Sequence, residues 1–395
     1  MSFKVIRKIK TMLTIFVLIC LGMLCLLNIR NFISIFDKQV TKESLQGDKN
    51  VFSDVENTFR ESAAYKNNLV DMYGMYHKIM DHTIVGNFEY VADKYGILHM
   101  INDYKGYETE NFIQEMEKLK AYTEKREIPL LYVQAPNREI ANNQGPITDF
   151  NIDDETMDTV VNSLQDINIS VLDIRKKLLE QERKFELTDL YFHTDLHMQT
   201  DAEIWMANQV AQYLAKEMNI NISNPSYLED MSNYTKKSYE FSGNYERTNG
   251  KKFVENDIFD IYHPKFETSF IYEIPGTEGS TKMGNFEEVL MHGYEEQPHD
   301  EYTYWVTDYM NFGIPYYTYT NKNQNNVKLL VITDSIAYRA LSYLSLTTQQ
   351  ITILDPRFYD GTDYTKIALE NDYDAVLVWQ GNYLIGVPLL IQEGN

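Results

Sequence analysis

Hydrophobic and polar positions follow strand and helix periods most clearly in the C-terminal part of the chain. VKLLVIT at 327–333 predicts a buried strand, and a helix with one apolar face is predicted over 336–346. A strand at 350–354, a helix at 364–370 and a strand at 375–379 follow. Strands and helices that alternate at this spacing predict right-handed crossovers within a parallel sheet.

The same alternation begins earlier, near Thr109. Pro129 ends a predicted helix, and apolar runs at 130–133 and 169–172 predict two more strands buried on both faces, the second followed by a helix from Arg175. The helix before Pro129 is recognised by apolar residues at helical spacing: Phe112, Ile113, Met116, Leu119 and Tyr122. The predicted fold class is therefore α/β, with a central parallel sheet.

Three other segments do not follow this alternation. Residues 30–85 are polar and lightly patterned, and they predict a stalk and a helix over about 51–80. A short hairpin is predicted over 87–100. Residues 222–325 are rich in Tyr, Asn, Gly and Glu, which predicts an irregular β-rich insertion rather than a separate domain.

The N-terminus carries an uncharged apolar stretch, 11–29. As a helix with a rise of about 1.5 Å per residue, it just spans a hydrocarbon core of roughly 30 Å. Basic residues are denser before it (Lys4, Arg7, Lys8, Lys10) than after it (Arg30, Lys38), which predicts a cytoplasmic segment 1–10 and a single-pass anchor. The alternative is a cleaved signal peptide, although the stretch is longer than a usual apolar core and no A-x-A-like site follows.

Cysteine content and charge limit which class of protein the part beyond the anchor can belong to. Cys20 and Cys25 both lie in the apolar stretch, and neither follows the small residue expected of a lipoprotein signal. The outer domain, 86–395, therefore has no disulfide, which suits a bacterial extracytoplasmic protein. The formal charge is −22 and residues 1–29 contribute +4, so the remainder carries −26 and disfavours nucleic acid as a partner.

A neutral polysaccharide is compatible with such an acidic surface. The chain also contains 30 tyrosines. Aromatic faces bind sugar rings, and tyrosines also pack at the rims of strands. Both interpretations of the tyrosines are open from composition.

The pair Asp334-Ser335 lies where the predicted strand at 327–333 turns into a helix. Open parallel sheets bind ligands beyond the carboxyl ends of their strands. A serine hydroxyl there lies near helix N–H groups, which can stabilise an oxyanion. Ser335 is therefore a candidate nucleophile, with an ordinary helix N-cap as the alternative.

The second candidate site is the segment His193-Thr194-Asp195-Leu196-His197. Thr200 and Glu203 have capping-box spacing, so we expect a helix to begin directly after it. The positive end of that helix disfavours imidazolium, which leaves His197 as a neutral base that Asp195 would orient. Two alternatives stay open: a structural polar loop, and a metal site of His193, Asp195 and His197 if the segment is an extended strand.

Several segments, taken in order, resemble bacterial extracytoplasmic proteins of the DHHW type, which are similar to the SGNH-like alginate O-acetyltransferases. The central segment is YFHTDLHMQTDAEIWMANQVAQYL. The corresponding signature of the alginate O-acetyltransferases reads D-T-H-W. The other segments fall within residues 90–385: IPLLYVQAPNRE, FSGNYERTNG, LLVITDSIAYRALSYLSL, ITILDPRFY and NDYDAVLVWQGN. The resemblance implies an SGNH-hydrolase-like three-layer fold with a central parallel sheet and a β-rich insertion, preceded here by one transmembrane helix.

The resemblance also implies roles for three residues. In the family, the aspartate and second histidine of the motif pair with a serine after a later strand, and these positions are Asp195, His197 and Ser335. Geometry rather than chain order defines such a triad. Three positions depart from the motif: Leu196 replaces the first histidine, Met198 the tryptophan and Asp201 a glycine. The packing around His197 must therefore differ from the family pattern.

Further positions are candidates to bind substrate or to stabilise an oxyanion. They follow predicted strands or lie one helical turn after the serine: Asn137, Arg138, Arg339, Gln380 and Asn382. The alternative for each is a loop-shaping role or, for Arg339, an ion pair with a carboxylate such as Asp355. Neither a metal nor a cofactor is expected.

These features together predict an extracytoplasmic O-acyltransferase, anchored in a bacterial cell membrane, that acetylates a cell-surface polysaccharide through an acyl-serine. As the resemblance implies, a membrane-bound acyltransferase partner would supply the acyl group. One alternative is a carbohydrate acetylesterase on the same triad. The other is a non-catalytic polysaccharide-binding or assembly component on a degenerate SGNH scaffold.

Overall fold

The chain forms two compact units, Met1–Tyr76 and His77–Asn395. The structure is a computed structural model, and it describes residues 3–39, 55–56, 58–59, 62–86, 89–93, 97–100, 109–136, 152–180, 190–291, 313–381 and 384–390.

The first unit is dominated by the helix α1, Phe3–Gln39. Its stretch Thr14–Phe36 has a mean hydropathy of 2.1 and is unburied, and it is the one described helix long and apolar enough to cross a membrane. The predicted apolar helix is thus confirmed, with bounds longer than the expected 11–29.

Polar contacts begin near the C-terminal end of this apolar stretch. The Asn28 side chain accepts the backbone N–H of Ala64 at 2.7 Å, and the Asn31 amide donates to the Ser62 carbonyl at 2.8 Å. These contacts place protein against α1 from about residue 28 onward. A second helix, α2, covers Lys66–Ile79 and so forms the later part of the helix expected over 51–80.

The second unit is built on a mixed central sheet. In the described residues this sheet has eight strands. From one edge to the other they are β5 (Ser170–Asp173), β4 (Leu130–Gln134), β13 (Ala375–Gln380), β11 (Lys328–Thr333), β12 (Gln350–Leu354), β10 (Tyr316–Asn321), β8 (Phe270–Glu273) and β9 (Lys282–Gly284).

The first five strands of this order pair in parallel, which confirms the predicted parallel sheet. The strands β10, β8 and β9 extend it with antiparallel pairings. They come from the segment 222–325, so part of the predicted insertion belongs to the central sheet itself. The sheet is mixed because these strands pair beyond β12, a tertiary contact that no local pattern encodes.

Helices cover both faces of the sheet, so the fold has three layers. On one face lie α3 (Thr109–Glu124), α4 (Ile152–Asp166) and α10 (Tyr364–Ala368); on the other lie α6 (Thr200–Lys216) and α9 (Tyr338–Leu344). Alternate strand residues enter the two cores: Leu131 and Val133 pack with the α6 side, and Leu130 and Tyr132 with the α3 side. This alternation explains why the central strands carry apolar residues on both faces.

Shorter elements surround the sheet. The strands β1 (Ile84–Val85), β2 (Tyr90–Ala92) and β3 (Leu98–Met100) form a small antiparallel sheet, which contains the expected hairpin. A two-stranded ribbon pairs β6 (Tyr234–Phe241) with β7 (Asp257–Pro264). Short helices complete this part: α5 (Ile174–Glu180), α7 (Asn244–Asn249) and α8 (Phe286–Leu290).

Candidate active site

The segment 193–197 is a closed loop rather than an extended strand. Tyr191 and Met198 form an isolated antiparallel bridge at its base. The Phe192 N–H donates to the His197 carbonyl at 3.2 Å, and the Gln199 N–H donates to the Leu190 carbonyl at 2.9 Å. The metal interpretation requires an extended strand, in which alternate side chains share one face. A closed loop does not have that geometry. In the parts of the chain that the structure describes, no three His, Cys, Asp or Glu side chains are grouped to hold a metal.

Asp195 and His197 are brought together within this loop. Nδ1 of His197 lies 2.6 Å from Oδ1 of Asp195, and the backbone N–H of His197 donates to the same oxygen at 3.0 Å. Both residues are buried. Nε2 of His197 is also buried, and it has no hydrogen-bond partner among the described residues. The contact leaves that nitrogen available to accept a proton, provided that Nδ1 carries the ring hydrogen.

The electrostatics of Asp195 agree with this tautomer. Burial alone would raise the pKa of Asp195. The contact with His197 and the backbone N–H groups of Asn244 and His197 lower it by more, so the pKa lies below its usual value. The carboxylate is therefore ionised near neutral pH and is a pure acceptor. It holds the Nδ1–H and stabilises positive charge on the ring when Nε2 takes up a proton.

The segment 242–245 holds the loop from outside. The Asn244 N–H donates to Oδ2 of Asp195 at 2.9 Å, and the Gly243 N–H donates to Oγ1 of Thr194 at 2.8 Å. A Cβ on Gly243 would lie 2.2 Å from the Thr194 carbonyl oxygen and 2.5 Å from the Asp195 Cβ. The close approach requires glycine at this position, which explains the SGN sequence within FSGNYERTNG.

Asp257, the first residue of β7, fixes the other end of the loop. Its carboxylate accepts the backbone N–H groups of His193 at 2.7 Å and Thr194 at 2.8 Å, and the Thr194 hydroxyl at 2.5 Å. The pKa of Asp257 lies above its usual value because burial raises it by more than these donors lower it. Sequence reasoning missed Asp257 and Gly243, because both act from more than forty residues away and no spacing marks them.

Ser335 lies in the turn after β11, at the carboxyl end of a central strand. It is 8% exposed, and its hydroxyl makes no hydrogen bond to a described residue. The preceding Asp334 is fully buried and accepts the N–H groups of Ile336 at 3.0 Å and Gly381 at 3.2 Å. Burial raises the pKa of Asp334, and Arg357 partly opposes this. Asp334 thus fixes the turn against the end of β13.

The turn differs from the expected arrangement at Ser335. The helix α9 begins three residues later, at Tyr338, and has only seven residues. The N–H groups of Ile336 and Ala337 already donate to Asp334, to its side chain and carbonyl respectively. The N–H groups of Ile336 and Ala337 therefore shape the turn, and the oxyanion donors expected near Ser335 stay a prediction. The backbone N–H of Ser335 itself makes no hydrogen bond to a described residue.

Arg339, one turn after Ser335, is buried in the protein interior. Its Nη2 donates to the Met198 carbonyl and lies 2.5 Å from Oε1 of Glu203. The expected alternative partner, Asp355, binds Arg357 instead, with Nη2 and Oδ2 2.6 Å apart.

The two residues of the predicted capping box have other partners. Glu203 pairs with Arg339, and the Thr200 hydroxyl donates to the Asp260 carbonyl at 2.5 Å. The predicted capping box is wrong, since α6 begins after Gln199 without a side-chain cap.

Gln380 is likewise engaged inside the protein. Its amide donates to the Tyr132 hydroxyl at 2.9 Å, and its side-chain oxygen accepts the Leu384 N–H at 2.9 Å. Both functional groups of Gln380 therefore have internal partners, Tyr132 within β4 and Leu384 beyond the end of β13. Asn137, Arg138 and Asn382 lie outside the described residues, and their roles stay predictions.

Tyrosines of the segment 222–325 are mainly packing residues in the described part. Buried examples are Tyr234, Tyr262, Tyr272, Tyr316, Tyr317 and Tyr319. Their rings contact one another at centroid distances such as 5.5 Å between Tyr317 and Tyr319. The packing interpretation thus accounts for these tyrosines, and none of them presents an open face for a sugar ring.

Two of the departures from the family motif lie in the core around the loop. Met198 is fully buried in the core on the α6 side of the sheet. Leu196 is partly buried and packs against that core and against the small cluster around Tyr90 and Tyr245. Apolar packing therefore takes up the positions where the motif has histidine and tryptophan, while the Asp195–His197 contact is kept.

Comparison with known proteins gives structural matches only. No protein-family model matches the chain, and no curated protein matches it in sequence. Bacillus cereus PatB1, solved with a sulfonyl adduct, superposes with a TM-score of 0.61 at 17% identity, covering 77% of this chain and 97% of that one. A DHHW family protein from Eubacterium siraeum superposes with a TM-score of 0.55 at 15% identity, covering 77% and 95%.

These similarities concern the fold, because the identities are low. They extend over nearly the whole length of both solved proteins. The resemblance to DHHW-type proteins, first seen in ordered sequence segments, is therefore confirmed at the level of the fold. The chain has the α/β architecture of Bacillus cereus PatB1 and of a DHHW family protein.

Proposed function

We propose that this protein is an extracytoplasmic O-acyltransferase that acetylates hydroxyl groups of a cell-surface polysaccharide through an acyl-serine at Ser335. One observation carries the proposal. A buried Asp195–His197 pair leaves Nε2 of His197 without a partner, on a fold whose central strand ends at a serine with an unbonded hydroxyl. A base held in one tautomer and a serine beyond a parallel strand are the parts that acyl transfer requires.

The reaction proceeds in two halves. Nε2 of His197 accepts the proton of the Ser335 hydroxyl as Oγ attacks the acyl carbonyl carbon of the donor. The tetrahedral intermediate collapses, the bond to the donor's leaving group breaks, and His197 returns the proton to that group. A sugar hydroxyl then gives its proton to His197 as its oxygen attacks the acyl carbon. The bond between that carbon and Oγ of Ser335 breaks, and His197 returns the proton to Oγ, which releases the acylated sugar and restores the Ser335 hydroxyl.

Asp195 has a fixed part in both halves. It accepts the Nδ1–H, keeps the ring in the tautomer with a free Nε2, and stabilises the imidazolium that forms in each half. Nε2 and the Ser335 hydroxyl are not hydrogen-bonded in the described structure. Such contacts are often open before substrate binds and close in the reacting complex.

The membrane helix gives the reaction a location. We place residues 1–10 in the cytoplasm and the second unit outside, because basic residues are denser before the apolar stretch than after it. A tether raises the effective concentration of the second unit near any donor held in the same bilayer. This favours a membrane-bound acyltransferase as the acyl donor, in line with the sequence resemblance to alginate O-acetyltransferases.

The acceptor follows from charge. The chain beyond residue 29 carries a formal charge of −26, which repels polyanions. We therefore propose a neutral polysaccharide as the acceptor. Nucleic acid is disfavoured on the same ground.

A sulfonyl fluoride tests the nucleophile directly. The full-length chain in detergent is treated with phenylmethylsulfonyl fluoride, and peptide mass spectrometry identifies the modified residue. We expect Oγ of Ser335 to displace fluoride, and we expect labelling to be lost in Ser335→Ala and His197→Ala. Ser342→Ala is the matched control: Ser342 is a buried serine on α9, the helix that follows the turn of Ser335, and this variant should label as the wild type does.

Two further measurements separate transfer from its alternatives. With p-nitrophenyl acetate as donor, an acyltransferase passes acetyl to added polysaccharide faster than to water, whereas an esterase only releases acetate. In cells, a Ser335→Ala strain should lose surface polysaccharide acetylation. No labelling of Ser335, together with unchanged acetylation in that strain, rejects the proposal and favours the non-catalytic alternative.

A further inference from the structure

The Arg339 side chain connects the two segments that carry Ser335 and His197. Arg339 lies four residues after Ser335, on α9. Its guanidinium donates to the carbonyl of Met198, the residue directly after His197. This hydrogen bond links the helix that follows Ser335 to the base of the 193–197 loop.

The guanidinium is enclosed on several sides. Glu203, in the first turn of α6, lies with Oε1 2.5 Å from Nη2 of Arg339. The rings of Phe192 and Phe259 have their centroids 5.3 Å and 5.2 Å from the guanidinium carbon. Phe192 precedes the loop and Met198 follows it, so Arg339 contacts both ends of the 193–197 loop.

Stability alone does not explain this arrangement. The side chains of Arg339 and Glu203 are 3% and 1% exposed, so both charges are almost fully removed from water. A buried ion pair generally recovers little more than its own desolvation, and a well-packed apolar pair often gives equal or greater stability. A buried arginine that bridges two functional segments therefore points to a geometric requirement.

We infer that Arg339, held by Glu203, is a positioning residue that sets the distance between Nε2 of His197 and the hydroxyl of Ser335. The inference rests on the proposed function of these two residues. Nη2 of Arg339 is directed to the Met198 carbonyl and to Glu203, which suits a residue that positions the loop. This role replaces the substrate-binding role that its place after Ser335 first suggested.

The geometry predicts how the reaction responds when the link is broken. Without that donor the Met198 carbonyl loses one restraint, and the adjacent His197 ring can shift relative to Ser335 although Met198 stays buried and bridged to Tyr191. A displacement of about 1 Å between reacting groups can lower a rate by about a hundredfold. The Asp195–His197 contact is internal to the loop, so it should persist when the link is broken.

Two variants test the inference in the full-length chain in detergent. Arg339→Met combined with Glu203→Leu replaces the buried pair by apolar side chains and preserves packing. Arg339→Lys keeps the charge but loses the guanidinium geometry. Arg175→Lys is the matched control, because Arg175 is buried in an ion pair with Asp173 at 2.7 Å and has no contact with the loop.

The readouts are the melting temperature and the rate of Ser335 labelling by phenylmethylsulfonyl fluoride across pH. We expect both Arg339 variants to stay folded, to label at least about tenfold more slowly at the pH plateau, and to keep the wild-type pH midpoint. Folded variants that label within about twofold of the wild type overturn the inference alone. If Arg339→Lys and Arg175→Lys slow labelling equally, the effect is general and the inference also fails. Absence of labelling in the wild type rejects the proposed function itself.

Discussion

Oδ1 of Asp195 lies 2.6 Å from Nδ1 of His197 and also accepts the backbone N–H of His197 at 3.0 Å. The second carboxylate oxygen accepts the N–H of Asn244, at the start of α7. One buried carboxylate therefore sets the ring, the turn of the loop and the neighbouring helix. A change at Asp195 to asparagine should affect both the chemistry and the loop, because an amide of equal size fills the space but its NH₂ group would face one of these donors.

Asp195→Asn should lower the rate of Ser335 labelling by roughly a hundredfold or more, because an amide does not stabilise the imidazolium and can hold the wrong tautomer. The rate is measured with phenylmethylsulfonyl fluoride as a function of pH. Asp260→Asn is the control, since that carboxylate binds Lys236 at the surface of the β6–β7 ribbon. Equal rates in wild type and Asp195→Asn would remove Asp195 from the mechanism.

Gly243→Ala should damage the site beyond its effect on stability. The new Cβ would overlap the Thr194 carbonyl and the Asp195 Cβ, and both contacts are with parts of the loop that cannot move aside easily. We expect a loss of about 2 kcal/mol or more in unfolding free energy and near-complete loss of labelling. Urea unfolding and the labelling rate are measured on the same preparation.

Gly276→Ala is the matched control for this change. Gly276 has a φ of +80°, so alanine there is strained by about 1 kcal/mol, but its Cβ meets open space. This variant should lose stability and keep the labelling rate below its melting temperature. If both glycine variants label alike at equal folded fraction, the close approach at Gly243 does not shape the site.

Asp257→Asn should destabilise the loop from its other end. The Asp257 carboxylate accepts three hydrogen bonds from His193 and Thr194, and an amide NH₂ group would face at least one of these donors. A buried donor without an acceptor costs about 1–3 kcal/mol. Chemical denaturation should show a loss of this size, while Asp260→Asn at the surface should show almost none.

The described structure explains which features the sequence could predict. The parallel strands carry short apolar runs that lie between turn signals, so the local pattern located each strand within one or two residues. The Asp195–His197 contact is also local, since two residues separate its partners. Gly243 and Asp257 meet the loop only through the fold, and nothing in their own neighbourhoods indicates this.

Glu203 shows why a correct spacing can lead to a wrong role. Its position three residues after Thr200 matches a capping box, and the helix does begin there. The carboxylate instead turns inward to Arg339, and burial raises the pKa of Glu203 to about 7 although Arg339 opposes this. Tertiary packing decided between two uses of the same residue, and only the structure contains that information.

The anchor predicts a membrane-bound protein with an external C-terminal unit. The full-length chain should stay in the membrane fraction after alkaline carbonate washing, because the apolar helix is held by the hydrocarbon core. In spheroplasts, external protease should remove a C-terminal tag and spare an N-terminal one. A chain recovered in the soluble fraction without its N-terminus would indicate a cleaved signal peptide instead.

Alkaline pH should unfold the second unit before its buried tyrosines ionise. Burial raises the pKa of Tyr272 and Tyr316 from 10.0 to about 12. Above pH 10 the unfolded chain therefore loses these protons first, so stability falls as pH rises from about 10 to about 12. We expect tyrosinate absorbance and the loss of circular dichroism to rise together in one cooperative transition.

Tyr316→Phe should move that transition to higher pH, because it removes one group whose ionisation favours the unfolded state. Gradual ionisation near pH 10 with unchanged dichroism would show that these phenols are accessible to solvent in the native protein.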